Sequence, residues 1–331
     1  MSTKFVIITS INAPSMAISK FSKWVGWQVV VVGDRKSPAE WKFDGVKYLS
    51  IAEQNEEFGL FSKSIPENTY TRKMIGYAYA MRLGATAIFE SDDDNLPYAD
   101  AFDKVEALLN ATDRNSVERL RSDIGWLNIY NRFGATNCWP RGFPLQFIKD
   151  PASNGVRGVD TKPWGAVQFL ADEDPDVDAL YRMINGNPVY FARDKQYILD
   201  EGTYCPINSQ ATLWLPETFP LLFLPQGVPD RVTDILRGYI ALACLWKMGK
   251  SMTFASPVVY QERNAHNLFN DFQQEMLLYN NAHIWANLLL EIEGNCASDL
   301  YISALQKLSM VNAIPVQNIE AYEMFLKSAG L

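Results

Sequence analysis

Apolar positions early in the chain come in short runs separated by polar breaks, and strand-length runs alternate with helix-length ones. Phe5-Val-Ile-Ile, within Lys4–Thr9, predicts a strand that Asn12-Ala-Pro14 breaks into a loop. Met16–Val25 predicts a helix, Trp27–Val32 a strand and Val46–Ile51 another. Asn68 is placed to cap a helix from Thr69 to Leu83, with Met74, Ile75, Ala78 and Met81 on one face and Gly84 as its stop. Ala85–Ser91 follows as a strand. This alternation predicts an α/β fold, a mostly parallel sheet flanked by helices.

From 125 to 230 the chain is rich in Pro, Gly, Asn and aromatics, which predicts long functional loops and an antiparallel extension of the sheet. Asp230–Met248 predicts a helix, apolar nearly all round after two turns, and Thr253–Tyr260 a strand. From about His266 the pattern is helical to the end, so the chain divides into an α/β part at 1–262 and a helical C-terminal extension at 263–331.

With 331 residues, 48% of them hydrophobic, the chain can bury a large core. A formal charge of −8 and a pI near 5.0 argue against nucleic acid as a partner. Cys138, Cys205, Cys244 and Cys296 are scattered without CxxC or zinc-ligand spacing, so buried reduced thiols are expected. The N-terminus shows no cleavable signal pattern and no stretch is apolar over 18 residues, which leads to the expectation of a cytoplasmic protein without a membrane span.

The candidate chemistry starts where Ala85–Ser91 delivers Asp92-Asp93-Asp94 to the end of a strand. Ligands of open α/β sheets bind outside the carboxyl ends of the strands. Adjacent carboxylates repel unless a cation offsets them, and alternation puts Asp92 and Asp94 on one side, as ligands for Mn²⁺ or Mg²⁺; a solvated turn opening a helix at Asn95 is the plain reading. Gly33-Asp34-Arg35-Lys36 ends the second strand beside the same crevice, as a base or ribose contact or as an ordinary turn. Arg72 and Lys73 sit in a helix's first turn against its dipole, which points to phosphates or to a nearby acidic surface. Arg141, in a loop of Trp, Pro, Gly and Phe, suits a phosphate or carboxylate fork or a stacked structural role. Asp172–Asp178, with five acids, reads as a solvated loop in preference to a second metal site. Asp230, Asp234 and Arg237 share one face of a buried helix, either as a salt bridge or as a general base, Asp234, whose ionisation Arg237 fixes. His266 is placed to complete a metal site or is structural, and His283 is weakly informative.

Taken in order, these motifs resemble the STELLO-type glycosyltransferase-like family, whose fold is the nucleotide-diphospho-sugar transferase (GT-A) fold. The resemblance runs from about Lys4 to Tyr260, through Gly33-Asp34-Arg-Lys-Ser-Pro38, Arg72-Lys73-xx-Gly76-Tyr77, Asp92-Asp93-Asp94, Trp139-Pro-Arg-Gly-Phe-Pro-Leu145, Asn208-Ser209-Gln210 and Thr233-Asp234-Ile-Leu-Arg237-Gly238-Tyr239. Several pieces are also similar to the reversibly glycosylated polypeptides, which act as UDP-arabinopyranose mutases and carry the sugar transiently on an arginine, here Arg141. The resemblance implies a catalytic GT-A-like domain at 1–262, a UDP-type sugar donor, Mn²⁺ or Mg²⁺ at Asp92 and Asp94, and Asp34 and Lys73 along the nucleotide. It leads to the expectation of a metal-dependent glycosyltransferase acting on a carbohydrate or other hydroxyl acceptor. Its donor contacts would be Asp34, Arg72, Lys73, Asp92, Asp93, Asn208 and Gln210, and its catalytic residues Asp234, Arg141 and Arg237. A nucleotide-sugar mutase and a non-catalytic sugar-nucleotide-binding scaffold are the alternatives, and a homo-oligomer is compatible with each. Plant STELLO proteins are membrane-anchored, which is not carried over. The mutases place a histidine soon after their last strand, where this chain has Tyr260-Gln261-Glu262-Arg263 and reaches His266 later.

Overall fold

In the computed structural model, which describes residues 3–262 and 267–331, the first apolar runs form a parallel sheet buried on both faces. β1 (Lys4–Thr9) pairs with β2 (Trp27–Val32) on one side and with β4 (Ala87–Asp92) on the other, while β3 (Val46–Leu49) extends the sheet beyond β2. Side chains alternate across a strand. Phe5, Ile7, Val30 and Val32 therefore enter one core, and Val6, Ile8, Val29 and Val31 the other. Burial on both faces explains why these strands are continuous apolar runs.

The remaining strands make the sheet mixed. Its order is β3-β2-β1-β4-β10-β8-β11-β9-β6-β7, with β5 (Asn95–Pro97) paired to β11. β6 (Glu118–Arg121), β7 (Val156–Arg157), β8 (Trp164–Asp172), β9 (Gln196–Leu199) and β10 (Ala211–Trp214) come from the loop-rich middle, and β11 (Ser251–Gln261) is the long last strand. β10 runs antiparallel between β4 and β8, as the expected antiparallel extension requires. Asn95 begins a strand, not the helix that the plain reading of the triplet placed there.

Helices cover both faces: α1 (Met16–Phe21), α2 (Ile51–Ser64), α3 (Lys73–Arg82), α4 (Ala101–Leu109), α5 (Ile129–Arg132), α6 (Ala179–Ile184) and α7 (Asp230–Lys247). α3 is shorter than its pattern predicts. Asn68 takes a left-handed conformation, Tyr70–Arg72 form a 3-10 turn, and the α-helix starts at Lys73. Gly76 lets α3 sit on the sheet, since a Cβ there would lie 2.6 Å from Ile7 Cγ2 and 2.9 Å from Val32 Cγ2. The pattern misses α2, a polar helix with non-helical backbone at Gly59, although Ser50 and Glu53 form a capping box at its start.

α8 (Leu268–Leu289), α9 (Ala297–Met310) and α10 (Asn318–Ala329) follow the last strand. Tyr301 and Tyr322 stack with ring centroids 4.8 Å apart, and both meet Phe223 edge-on. Phe325 reaches Phe61 of α2, so the C-terminal helices share the core of the sheet's α3 face. Among the described residues no helix is long and apolar enough to cross a membrane. Cys138, Cys205 and Cys244 are buried free thiols; Cys296, against expectation, is exposed at the start of α9, where the chain has just left the core.

Candidate functional site

The registers Thr9↔Val32 and Thr9↔Asp92 bring the carboxyl ends of β1, β2 and β4 side by side. They open into a cleft of about 460 Å³ whose walls include Ser10, Asn12, Asp34, Tyr70, the acidic triplet and Asn208. Its other wall is built from the loop after β8, from α6 and from the start of α7, with Asp176, Arg182, Asp230, Arg231 and Asp234. Residues more than 200 positions apart thus share one surface, and most of the sequence-predicted donor contacts are on it.

Each carboxylate of the triplet has its own support. Asp92 Oδ1 accepts from Lys73 Nζ at 2.9 Å and from Tyr70 Oη at 2.7 Å. Asp93 Oδ2 accepts from Ser10 Oγ at 2.5 Å and Asn12 Nδ2 at 3.0 Å, which ties β4 to the loop after β1. Asp94 Oδ2 accepts from Gln261 Nε2 at 2.9 Å. Burial first, and the charge of Asp92 second, push the Asp94 carboxyl up to about 6. Gln210 Nε2 in turn donates to Gln261 Oε1 and Asn95 Oδ1, so this amide supports the triplet and has no hydrogen left for a ligand. Asn208 Oδ1 accepts from Gln168 Nε2 and the Gln210 N–H, while its own NH₂ has no hydrogen-bond partner among the described residues.

Two expected ligand contacts, Arg72 and Lys73, and one expected catalytic residue, Arg237, turn out otherwise. Arg72 is buried, and its guanidinium is taken up by Gln54, Ser62 and the Ile65 carbonyl, so it clamps the end of α2 to the 3-10 turn. Lys73 Nζ is fully buried behind the cleft wall and donates to Ser91 O, Tyr70 Oη, Asp92 and Ser209 O. An ammonium has three hydrogens, and four acceptors already share them. Arg237 does not reach the cleft or Asp234's hydrogen bonds. It is fully buried against Glu90 of β4 at 2.8 Å and over the Trp214 ring, while Tyr77 and Trp214 also donate to Glu90.

Arg141 supplies the partner that Asp234 was expected to find in Arg237. Its Nε and Nη2 donate to Asp176 at 2.7 and 2.9 Å, its Nη1 and Nη2 to Asp234 at 3.0 Å each, and Nη1 also to the Arg231 carbonyl. All five N–H groups are engaged. The two carboxylates hold the guanidinium well above its ordinary range against the cost of burial, and Arg141 holds Asp234 low in return. Gly142 lets this turn press on α7, because a Cβ there would meet Ile235 and Tyr239 at 2.5 Å. The acidic run is not a solvated loop: Asp172, Asp176 and Asp178 are all buried. They receive Arg193, Arg141 and Trp139 respectively.

Tyr70 has no counterpart in the sequence reading, although its hydroxyl links Lys73, Asp92 and Ser209. Its position three residues before Lys73 was the one available signal. His266 lies outside the described residues. His283 accepts the Trp126 Nε1 hydrogen, a structural role. Among the described residues, no three His, Cys, Asp or Glu side chains form a ready-made metal cage.

No family model matches the chain. Two proteins of Arabidopsis thaliana do: "Probable glycosyltransferase STELLO2" is 27% identical over 282 residues, and "Probable glycosyltransferase STELLO1" 25% identical over 280. Each alignment takes in 78% of this chain and 35% of the relative, so the chain spans about a third of the length of these curated relatives. Among solved structures, glucosyl-3-phosphoglycerate synthase from Mycobacterium tuberculosis with phosphoglyceric acid aligns at a TM-score of 0.43 and 10% identity, over 86% of this chain and 78% of that one. The same synthase with Mn²⁺, UDP-glucose and phosphoglyceric acid aligns at 0.42 and 11% identity, over 85% and 79%. At TM-scores below 0.5 nothing about this chain's chemistry follows from these likenesses. In sequence, over 78% of its length, the chain is similar to the STELLO-type glycosyltransferase-like proteins that its motifs resemble.

Proposed function

We propose that the cleft is the donor site of a metal-dependent glycosyltransferase, which takes a nucleotide-diphosphate sugar, a UDP-sugar in the first instance, and passes the sugar to a hydroxyl acceptor. One observation carries this reading: three consecutive carboxylates, each separately supported, stand at the carboxyl end of β4 where the cleft opens. The similarity to glycosyltransferase-named relatives points the same way.

A hard divalent cation fits these residues. The donors are carboxylate oxygens, and Asp94 carries a proton affinity that a cation beside it would relieve. Mg²⁺ and Mn²⁺ are commonly held by one or two carboxylates plus phosphate oxygens, so a complete protein cage is not needed. Asp92 and Asp94 would hold the ion. Bound there, it would supply charge neutralisation for the leaving diphosphate.

The chain's own groups do the rest. Asp34 and the Ser10–Asn12 loop border the nucleotide, and the Asn208 NH₂, without a hydrogen-bond partner among the described residues, is available to a sugar hydroxyl. Asp234 is the base for an inverting transfer, accepting the acceptor's hydroxyl proton. Arg141 fixes its orientation, at the expense of basicity, through the paired N–H contacts. The same contacts weigh against a mutase using Arg141, since a nucleophilic guanidinium must first lose a proton that Asp176 and Asp234 stabilise.

The test is calorimetric titration of nucleoside diphosphates with and without Mn²⁺, followed by mass spectrometry of the corresponding sugar donors incubated with hydroxyl acceptors. Metal-dependent binding of one nucleotide with donor turnover supports a transferase. Binding without transfer or hydrolysis of any donor would leave a scaffold, and no binding would sink the donor site altogether.

A further inference from the structure

Seven aspartates line the cleft: Asp34, Asp92, Asp93, Asp94, Asp176, Asp230 and Asp234. A bound diphosphate needs positive charge against them, and a single divalent ion covers part of it. Among the described residues, the cations lining the cleft are Lys36, Arg72, Arg141, Arg182 and Arg231. Four of them are committed elsewhere. Arg72 and Arg141 are engaged as described above. Arg182 pairs with Asp174 and donates to the carbonyls of Pro175 and Val177. Arg231 holds the fully buried Glu275 and reaches the Val177 carbonyl. Lys36 differs: it is exposed and has no hydrogen bond or ion pair among the described residues. Its turn is nevertheless fixed, because Ser37 Oγ accepts from the Asp34 N–H at 2.9 Å and donates to the Ser10 carbonyl at 2.8 Å.

We infer that the two lysines divide the work: Lys36 meets the phosphates of the nucleotide, and Lys73 is a positioning residue that acts through Asp92. This rests on the donor-site reading. A lysine is a compact charge on a flexible stem, suited to following a phosphate from a fixed turn. A buried ammonium shared among four acceptors, Asp92 among them, is suited to holding that carboxylate in place.

The experiment titrates UDP, UMP and uridine into wild type, Lys36→Gln and Lys73→Met, in EDTA and in Mn²⁺, and follows Mn²⁺ by electron paramagnetic resonance. Lys36→Gln should weaken UDP about five- to tenfold with or without metal, leave uridine unaffected and keep Mn²⁺ affinity. Lys73→Met should weaken Mn²⁺ by about tenfold or more and leave UDP affinity in EDTA unchanged. If Lys73→Met does not fold, Tyr70→Phe removes one of Asp92's two donors and should weaken Mn²⁺ in the same direction. Unchanged UDP binding in Lys36→Gln, an equal loss for uridine, or the reverse pattern in the two lysine variants would overturn the division. A wild type that binds neither UDP nor Mn²⁺ would instead sink the donor-site reading, before any variant is compared.

Discussion

Replacing Asp94 by Asn should stabilise the protein without metal and remove most of the stabilisation that metal gives. In the apo protein the Asp94 carboxyl lies at about 6 against an ordinary 3.8, so the folded state binds its proton more tightly than the unfolded chain does. Such a group costs nothing below the ordinary value. Its cost grows as pH rises from about 4 to about 6 and is constant above. The full shift corresponds to about 3 kcal/mol at pH 7, an upper value because the residue is partly open to solvent. Asp94→Asn removes that cost and retains an acceptor for Gln261. In urea at pH 7 with EDTA the variant should be about 1–3 kcal/mol more stable than wild type, a gain that vanishes below about pH 4. Adding Mn²⁺ at a hundred times its Kd should stabilise wild type by about 2.7 kcal/mol and the variant far less. An apo variant no more stable than wild type at pH 7 would refute the electrostatic reasoning. Equal stabilisation of both proteins by Mn²⁺ would refute Asp94 as a ligand.

The same carboxyl makes metal affinity pH-dependent: below about pH 6 the affinity of wild type for Mn²⁺ should fall by about tenfold per unit, measured by titration at fixed ionic strength. Arg237→Leu strands the fully buried Glu90 and should cost about 3–5 kcal/mol in urea unfolding, while leaving the residues of the cleft wall in place. Arg141→Gln leaves Asp176 and Asp234 facing each other without their cation, so both hold protons more tightly; its loss of stability should be larger at pH 7 than at pH 5. Gly76→Ala drives a methyl into Ile7 and Val32 and should cost about 1–3 kcal/mol, read as a lowered midpoint with an unchanged m-value.

Much of the scaffold was already determined by the sequence, because it depends on local period. The bounds of β1 and β2 follow from their apolar runs, α7 from a helical pattern too apolar for a surface, and the triplet's place from the strand that delivers it. Where local pattern was weak, the reading missed: α2 is polar and interrupted at Gly59, and only its cap is legible. What each charge does was decided by tertiary structure. Arg141 meets Asp234 across 93 residues and Arg237 meets Glu90 across 147, distances over which periodicity carries no information. Asp172–Asp178 looks solvated by composition and is buried because Arg193, Arg141 and Trp139 arrive from elsewhere in the chain. The sequence alone places acids, arginines and lysines near a strand end. Only the fold's choice of partners separates those that hold the site together from those left to meet a ligand, because a buried charge must be paired and an exposed one need not be.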